Sequence, residues 1–227
     1  MGPNSDRRAR VLLINPNSSV ATTAMMVAIA KSAAVDGFDV DGATATRAPQ
    51  MIVTPDALDA ASTEVLEIAQ SNRHACDGII VAAFGDPGLA GIKAAMKLPA
   101  VGIGESSMLE AAENGRRFGV ATTTPLLEAK IDALPEALGL RSHYTGARFT
   151  KGDPQDLMAD PARLRAALAV AVEACIAQDG AEAVIIGGGP LGEAARELKP
   201  MFTVPIIAPI PSAVARIIRL ITAQATD

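Results

Sequence analysis

Short apolar runs bounded by glycine, proline or polar residues recur along the whole chain. The clearest cover residues 11–14, 78–83, 100–103, 118–122, 183–186 and 204–207, and weaker ones cover 40–46 and 143–149. Most are continuously apolar rather than alternating, which suits strands of a parallel sheet buried on both faces. Between them lie helical patterns at 19–34, 55–71, 88–96, 108–114, 125–138, 161–178, 191–198 and 212–223. Pro55, Pro125 and Pro161 fall where a first helical turn begins, a position that tolerates proline. Strands alternating with helices predict an α/β fold with mostly parallel sheets flanked by helices.

The pattern also repeats. Cys76-Asp-Gly-Ile-Ile-Val-Ala-Ala-Phe-Gly-Asp-Pro-Gly matches Gln178-Asp-Gly-Ala-Glu-Ala-Val-Ile-Ile-Gly-Gly-Gly-Pro in plan: Asp-Gly, an apolar strand, then a Gly/Pro-rich turn into a helix. The expectation is two similar α/β lobes, 11–113 and 114–205, with residues 206–227 forming a helix that packs back on the first lobe. Without a low-complexity linker, the lobes should pack closely.

Composition narrows the function. At 49% apolar and 3% aromatic, the 227 residues can bury a sizeable, aliphatic core. The net charge of −5 and the lack of basic clusters argue against a nucleic-acid partner. Arg7, Arg8 and Arg10, the most basic stretch, read as a solvated tail. No apolar run reaches the ~18 residues that span a bilayer, and no signal peptide is visible. Two cysteines make no disulfide framework, and two distant histidines make a zinc site improbable. The chain is expected to be cytoplasmic and homo-oligomeric, to use no metal or cofactor, and to act on a small molecule.

In open parallel sheets, ligands sit beyond the carboxyl ends of the strands. That edge gathers Asn15-Pro-Asn-Ser18-Ser, Phe84-Gly-Asp86-Pro-Gly, Gly104-Glu105-Ser-Ser, Thr122-Thr123-Thr and Gly187-Gly188-Gly189-Pro. Taken singly, such turns are ordinary helix caps and strand ends. Together they predict a pocket whose N–H groups and hydroxyls hold a carboxylate or imide. No nucleotide-binding glycine motif is present.

The segments Ile14-Asn-Pro-Asn-Ser-Ser, Phe84-Gly-Asp-Pro-Gly-Leu and Val101-Gly-Ile-Gly-Glu, with the Thr122-Thr123 pair, resemble the hydantoin and allantoin racemases of the aspartate/glutamate/hydantoin racemase family. The resemblance runs from Val11 to the C-terminal helix. It implies two pseudo-symmetric lobes, a substrate between them, no cofactor, and one cysteine on each face of the substrate's α-carbon. One thiol removes the proton and the other returns it from the opposite side. Here Ala83 stands at the first cysteine position and Gly188 at the second, so neither residue can carry a proton. Cys76 should lie on the order of 20 Å from the turn edge, and Cys175 lies within a helical pattern. Both read as inert, as do His74 at the far end and a structural His143.

Three functions remain open on sequence. One is an isomerase with a changed base, Glu105 or Asp86 raised in pKa by burial. The second is a hydrolase or lyase acting by ring-opening or decarboxylation on a cyclic amide or carboxylate, with the Gly187–Gly189 turn as oxyanion site. The third is a non-catalytic binding protein. The expected pocket holds Asn15, Ser18, Ala83, Phe84, Thr122, Thr123, Gly188 and Gly189, with Asp86 and Glu105 as candidate acid–base residues.

Overall fold

The computed structural model describes residues 7–224. One sheet comprises β1 (Ala9–Asn15), β2 (Phe38–Thr44), β3 (Gly78–Val81) and β4 (Ala100–Gly102), in the order β2-β1-β3-β4. The other comprises β5 (Phe118–Thr122), β6 (Tyr144–Phe149), β7 (Ala183–Gly187) and β8 (Ile206–Ile207), in the order β6-β5-β7-β8. Every pairing is parallel, and the second sheet repeats the strand order of the first.

The continuous apolar runs have the meaning expected of them, because both faces of each sheet are covered. On the first sheet Val11, Leu13, Ile80 and Val101 pack toward α1 (Val20–Ala33) and α9 (Pro209–Gln224). Leu12, Ile14, Ile79 and Val81 pack toward α2 (Pro55–Asn72) and α3 (Leu89–Ala95). On the second sheet Ala121, Val184 and Ile186 meet α7 (Pro161–Ala177) and α8 (Gly192–Leu198). Its other face, with Phe118, Val120 and Ile185, is buried against Met108 and Ala111 of α4 (Ile103–Ala111), Ile131 of α5 (Glu128–Ala137), and Leu58 and Phe84 from the first half. The two halves therefore share one apolar cluster.

The last helix belongs structurally to the first sheet. Ile210, Ala213, Val214 and Ile217 of α9 join its core. A Cβ at Gly78 would come within 2.8 Å of Ile221, so α9 lies directly on the start of β3.

Three local readings need correction. The helix expected at 108–114 starts at Ile103, so Gly104-Glu-Ser-Ser is a first helical turn rather than a loop. Its cap comes from another segment: the Asp86 carboxylate accepts from the N–H of Gly104 at 2.8 Å and of Glu105 at 2.6 Å. A partner 18 residues upstream is invisible to local reading. Arg7, Arg8 and Arg10 are not a free tail, since they pair with Asp77, Asp39 and Asp41, and Arg10 lies in β1. A short helix, α6 (Pro154–Ala159), was not expected; Asp153 caps it by accepting from Gln155 and Asp156 N–H.

Candidate active site

The strand carboxyl ends of the two sheets face one cavity of about 90 Å³. Asn17 reaches it from the turn after β1, and Ala82, Ala83 and Phe84 from the turn after β3. The second sheet supplies Thr122, Thr123 and Thr124 after β5 and Gly187 to Leu191 after β7. The remainder is apolar: Met51 and Ile52 from the loop before α2, Leu58 of α2, Leu127, Ile131 of α5 and Met158 of α6. Among the described residues, none that lines the cavity is ionisable.

Glycine makes this junction possible. A Cβ at Gly189 would lie 2.5 Å from the Met26 sulfur and 3.1 Å from the Ala82 carbonyl. The two pseudo-equivalent turns, 82–84 and 187–189, therefore come together closely at Gly189, and a side chain there would have to displace Met26. The Thr122 hydroxyl donates to the Gly187 carbonyl, tying the ends of β5 and β7 together. That bond occupies its proton. The Thr123 and Thr124 hydroxyls, the Asn17 side-chain NH₂ and the backbone N–H groups of Gly188 and Gly189 have no protein partner among the described residues, so they are donors available to a ligand.

Of the residues expected here, Ala83, Phe84, Thr122, Thr123, Gly188 and Gly189 line the cavity. Asn15 and Ser18 do not. Asn15 is 1% exposed; its amide donates to Asn17, Ser19 and Thr23, and its oxygen accepts from the Asn17 N–H. It folds the turn, and Asn17, which sequence reading passed over, faces the cavity. The Asx-turn pattern Asn-Pro-Asn carried that signal: the first Asn ends a buried strand and is consumed by the turn. Ser18 is held by its N–H on the Pro49 carbonyl.

Asp86 and Glu105 also lie off the cavity wall. Asp86 is 8% exposed and sits at φ 50°. Burial pushes its carboxyl up to about 7, against the pull of the Glu105 and Gly104 N–H groups. A Cβ at Gly102 would lie 2.1 Å from its carboxyl carbon, so the sequence Gly-x-Gly makes the approach possible. Glu105 is held by Lys93 at 2.7 Å and approached by Arg216 at 3.8 Å. The two carboxyls build the start of α4 and its ionic surround.

The cysteines and histidines contribute nothing to the wall. Cys175 is fully buried in α7 with its thiol 3.7 Å from the Val120 carbonyl, and burial pushes its pKa up to about 12. Cys76 is half-buried at the opposite end of β3; burial and Asp77 raise its pKa.

The two-sheet α/β fold is shared with known racemases and isomerases. The sequence profile of the Asp/Glu/Hydantoin racemase family matches residues 11–217, and the chain belongs to that family. It is 30% identical over 203 residues to a hydantoin racemase from Rhizobium meliloti, covering 89% of this chain and 84% of that one. A Pseudomonas hydantoin racemase is 28% identical, covering 87% of this chain and 80% of that protein. The allantoin racemase of Klebsiella pneumoniae superposes with a TM-score of 0.90 at 25% identity, covering 95% of this chain and 89% of that one. The chain is thus an enzyme of the racemase type. Among the described residues no helix is long and apolar enough to cross a membrane.

Proposed function

We propose that this racemase-family enzyme acts in the inter-sheet cavity on a small carbonyl compound, a hydantoin-like cyclic amide or an amino-acid-like carboxylate. It works through an enolate and without a side-chain base in the wall. The observation that carries this reading is the wall itself, apolar on one side, donor-rich on the other, and free of ionisable groups. Such a wall stabilises negative charge developing on a carbonyl oxygen. The Thr123 hydroxyl and the Gly188 and Gly189 N–H groups can reach that oxygen, and one well-placed donor is worth about 2.7–4 kcal/mol in such sites. Ala83 and Gly188 leave the α-carbon flanked by small groups, giving water room to take the α-proton on one face and return one on the other. Asp86 and Glu105 serve as positioning residues behind the wall.

The same observation favours a second reading. A lyase needs no base for its first step, because the electrons of the breaking C–C bond form the enolate as CO₂ leaves. A hydrolase would place the water against the ring carbonyl instead. Single enantiomers of hydantoins incubated in D₂O separate these reactions. Loss of rotation with deuterium gain at the α-carbon supports racemisation. Ring-opened product supports hydrolysis, and CO₂ from a malonate-type acid supports the lyase. Saturable binding with no conversion of any of them would sink the enzymatic reading of this cavity.

A further inference from the structure

Glu64 stands where an apolar residue belongs. Helix α2 buries Leu58, Ala61, Val65 and Ala69, and Glu64 sits among them at 7% exposed. An acidic group on the buried face of a helix is costly unless charge-assisted hydrogen bonds compensate it. Those bonds come from the segment that joins β2 to α2. One Glu64 oxygen accepts from the Thr46 N–H at 2.7 Å and from the Thr46 hydroxyl at 2.8 Å, and the other accepts from the Arg47 N–H at 3.0 Å. The Arg47 guanidinium stands 3.5 Å away and also pairs with Glu67. Burial raises the Glu64 pKa, but these donors outweigh it and lower it, so the group is a carboxylate at neutral pH.

The segment so held is part of the cavity. Residues 46–53 form neither helix nor strand, yet Met51 and Ile52 line the wall. Between Arg47 and Thr54 the segment makes one backbone hydrogen bond among the described residues, from the Ser18 N–H to the Pro49 carbonyl at 3.2 Å. Ala48 and Ile52 add apolar contacts with the cluster shared by the two halves. The second half meets the same need differently. After β6, Met158 reaches the wall from α6, which has its own helical turns and its Asp153 cap. A segment without such internal bonds opens at low cost unless something outside it holds it. We propose that Glu64 is a positioning residue of the active site, a latch that keeps residues 46–53 closed over the cavity and so keeps bulk water from the reacting carbon. It acts through Met51 and Ile52 and touches no substrate. Its part in turnover rests on the proposed carbonyl chemistry; the latch itself does not.

Hydrogen–deuterium exchange of the full chain, as parent, Glu64→Gln and Glu67→Gln, tests this. Glutamine offers one acceptor oxygen where the carboxylate offers two. The amides of residues 46–53 should therefore exchange about tenfold faster in Glu64→Gln, while those of β1 and β3 keep the parent's rates. Trypsin should cut after Arg47 faster by a similar factor. Glu67→Gln breaks only the exposed pair with the Arg47 guanidinium and should match the parent in both measurements. On a chiral hydantoin, Glu64→Gln should raise KM about fivefold and leave kcat within about twofold, because enclosure is lost in ground state and transition state alike. A general loss of folded protein would instead lower kcat at unchanged KM. If Glu64→Gln does not fold, Thr46→Val, which removes only the hydroxyl bond from the latch, should move the same measures by about threefold. Faster exchange confined to 46–53 with no turnover of any hydantoin leaves the latch standing and removes the hydantoin reading. Parent-like exchange and cleavage in the variant that folds, faster exchange spread evenly over the chain, or an unchanged KM beside faster exchange overturns the inference.

Discussion

Asp86 combines a left-handed backbone, near-complete burial and a helix-capping role, and its consequences are measurable. Its carboxyl rises from an ordinary 3.8 to about 7 because burial penalises the charge. Between those values the folded protein holds a proton that the unfolded chain has released. This group's contribution is therefore fully present below about pH 4 and is lost as pH rises toward 7, with a slope of at most about 1.4 kcal/mol per pH unit. Asp86→Asn removes the titration and keeps the shape, at a pH-independent cost for turning an NH₂ toward one helix N–H. Urea unfolding at several pH values should show the difference between parent and variant shrinking from pH 4.5 to 7 and flat above. A difference independent of pH would mean that the carboxyl is ionised throughout, as a plain capping carboxylate would be. The two functions ascribed to Asp86 also separate here. If it only positions α4, the variant retains the parent's pH–rate profile on any turned-over substrate; a wall base would not.

At the scale of elements, most of the fold and the turns that line the cavity were legible, while the tertiary contacts that shape the site were not, and the reason is the same physics. Strands such as 78–81 and 183–187 are buried on both faces, so their sequence is an unbroken apolar run that few alternatives fit. Helices such as α2 announce themselves through Pro55 in the first turn, where the structure adds a Thr54 cap. The start of α4 has no such local mark, because its cap is the carboxylate of Asp86 and its first N–H groups are served from another loop. The side chains at strand ends suffer the same ambiguity. The Asn-Pro-Asn pattern marks a turn, and the closed turn shows Asn15 buried with both ends of its amide bonded, while Asn17, bonded through its oxygen alone, borders the cavity. Met51, Ile52 and Met158 read as ordinary apolar residues, yet they form much of the cavity wall. The tertiary cap of α4 yields its own prediction. Gly102→Ala would place a methyl 2.1 Å from the Asp86 carboxyl carbon, and the backbone at φ 50° leaves that side chain little freedom to retreat. Overpacking of this kind costs about 1–3 kcal/mol, so the urea midpoint should fall by that equivalent with the slope unchanged. The same substitution in an Asp86→Ala background should cost much less. Additive losses would show that Gly102 and Asp86 do not meet.

Over the whole molecule, two sheets of the same strand order present equivalent turns to one cavity, the pairing on which the two-thiol arrangement implied by the resemblance would depend. Ala83 and Gly188, which the resemblance to the family sets at its two cysteine positions, line the cavity, one from each sheet. If the scaffold retains the inherited geometry, replacing both by cysteine restores an acid–base group on each face. Ala83→Cys adds one sulfur at a half-buried site and should fold normally. Gly188→Cys is more demanding: at φ 156° a new Cβ would lie 3.0 Å from the Leu191 Cδ1. The obstacle is the end of a flexible side chain rather than backbone, so a shift of a few tenths of an ångström admits it, at a cost of about 1 kcal/mol. The double variant should exchange the α-proton of a chiral hydantoin with solvent deuterium, and lose optical rotation, at least tenfold faster than the parent. A rate gain of that size corresponds to about 1.4 kcal/mol of barrier, modest beside the 10²–10⁴-fold that a positioned acid–base group contributes. Each single variant has a base on one face only, so it should show at most exchange with retention. Iodoacetamide should abolish the double variant's gain and leave the parent's turnover untouched, because Cys175 is buried and Cys76 lies at the opposite end of β3. A folded double variant with no gain on a panel of hydantoins would show that the cavity has been rebuilt, and the lyase or hydrolase reading would take precedence. Thiol sensitivity of the parent itself would contradict the placement of both native cysteines away from the reacting carbon.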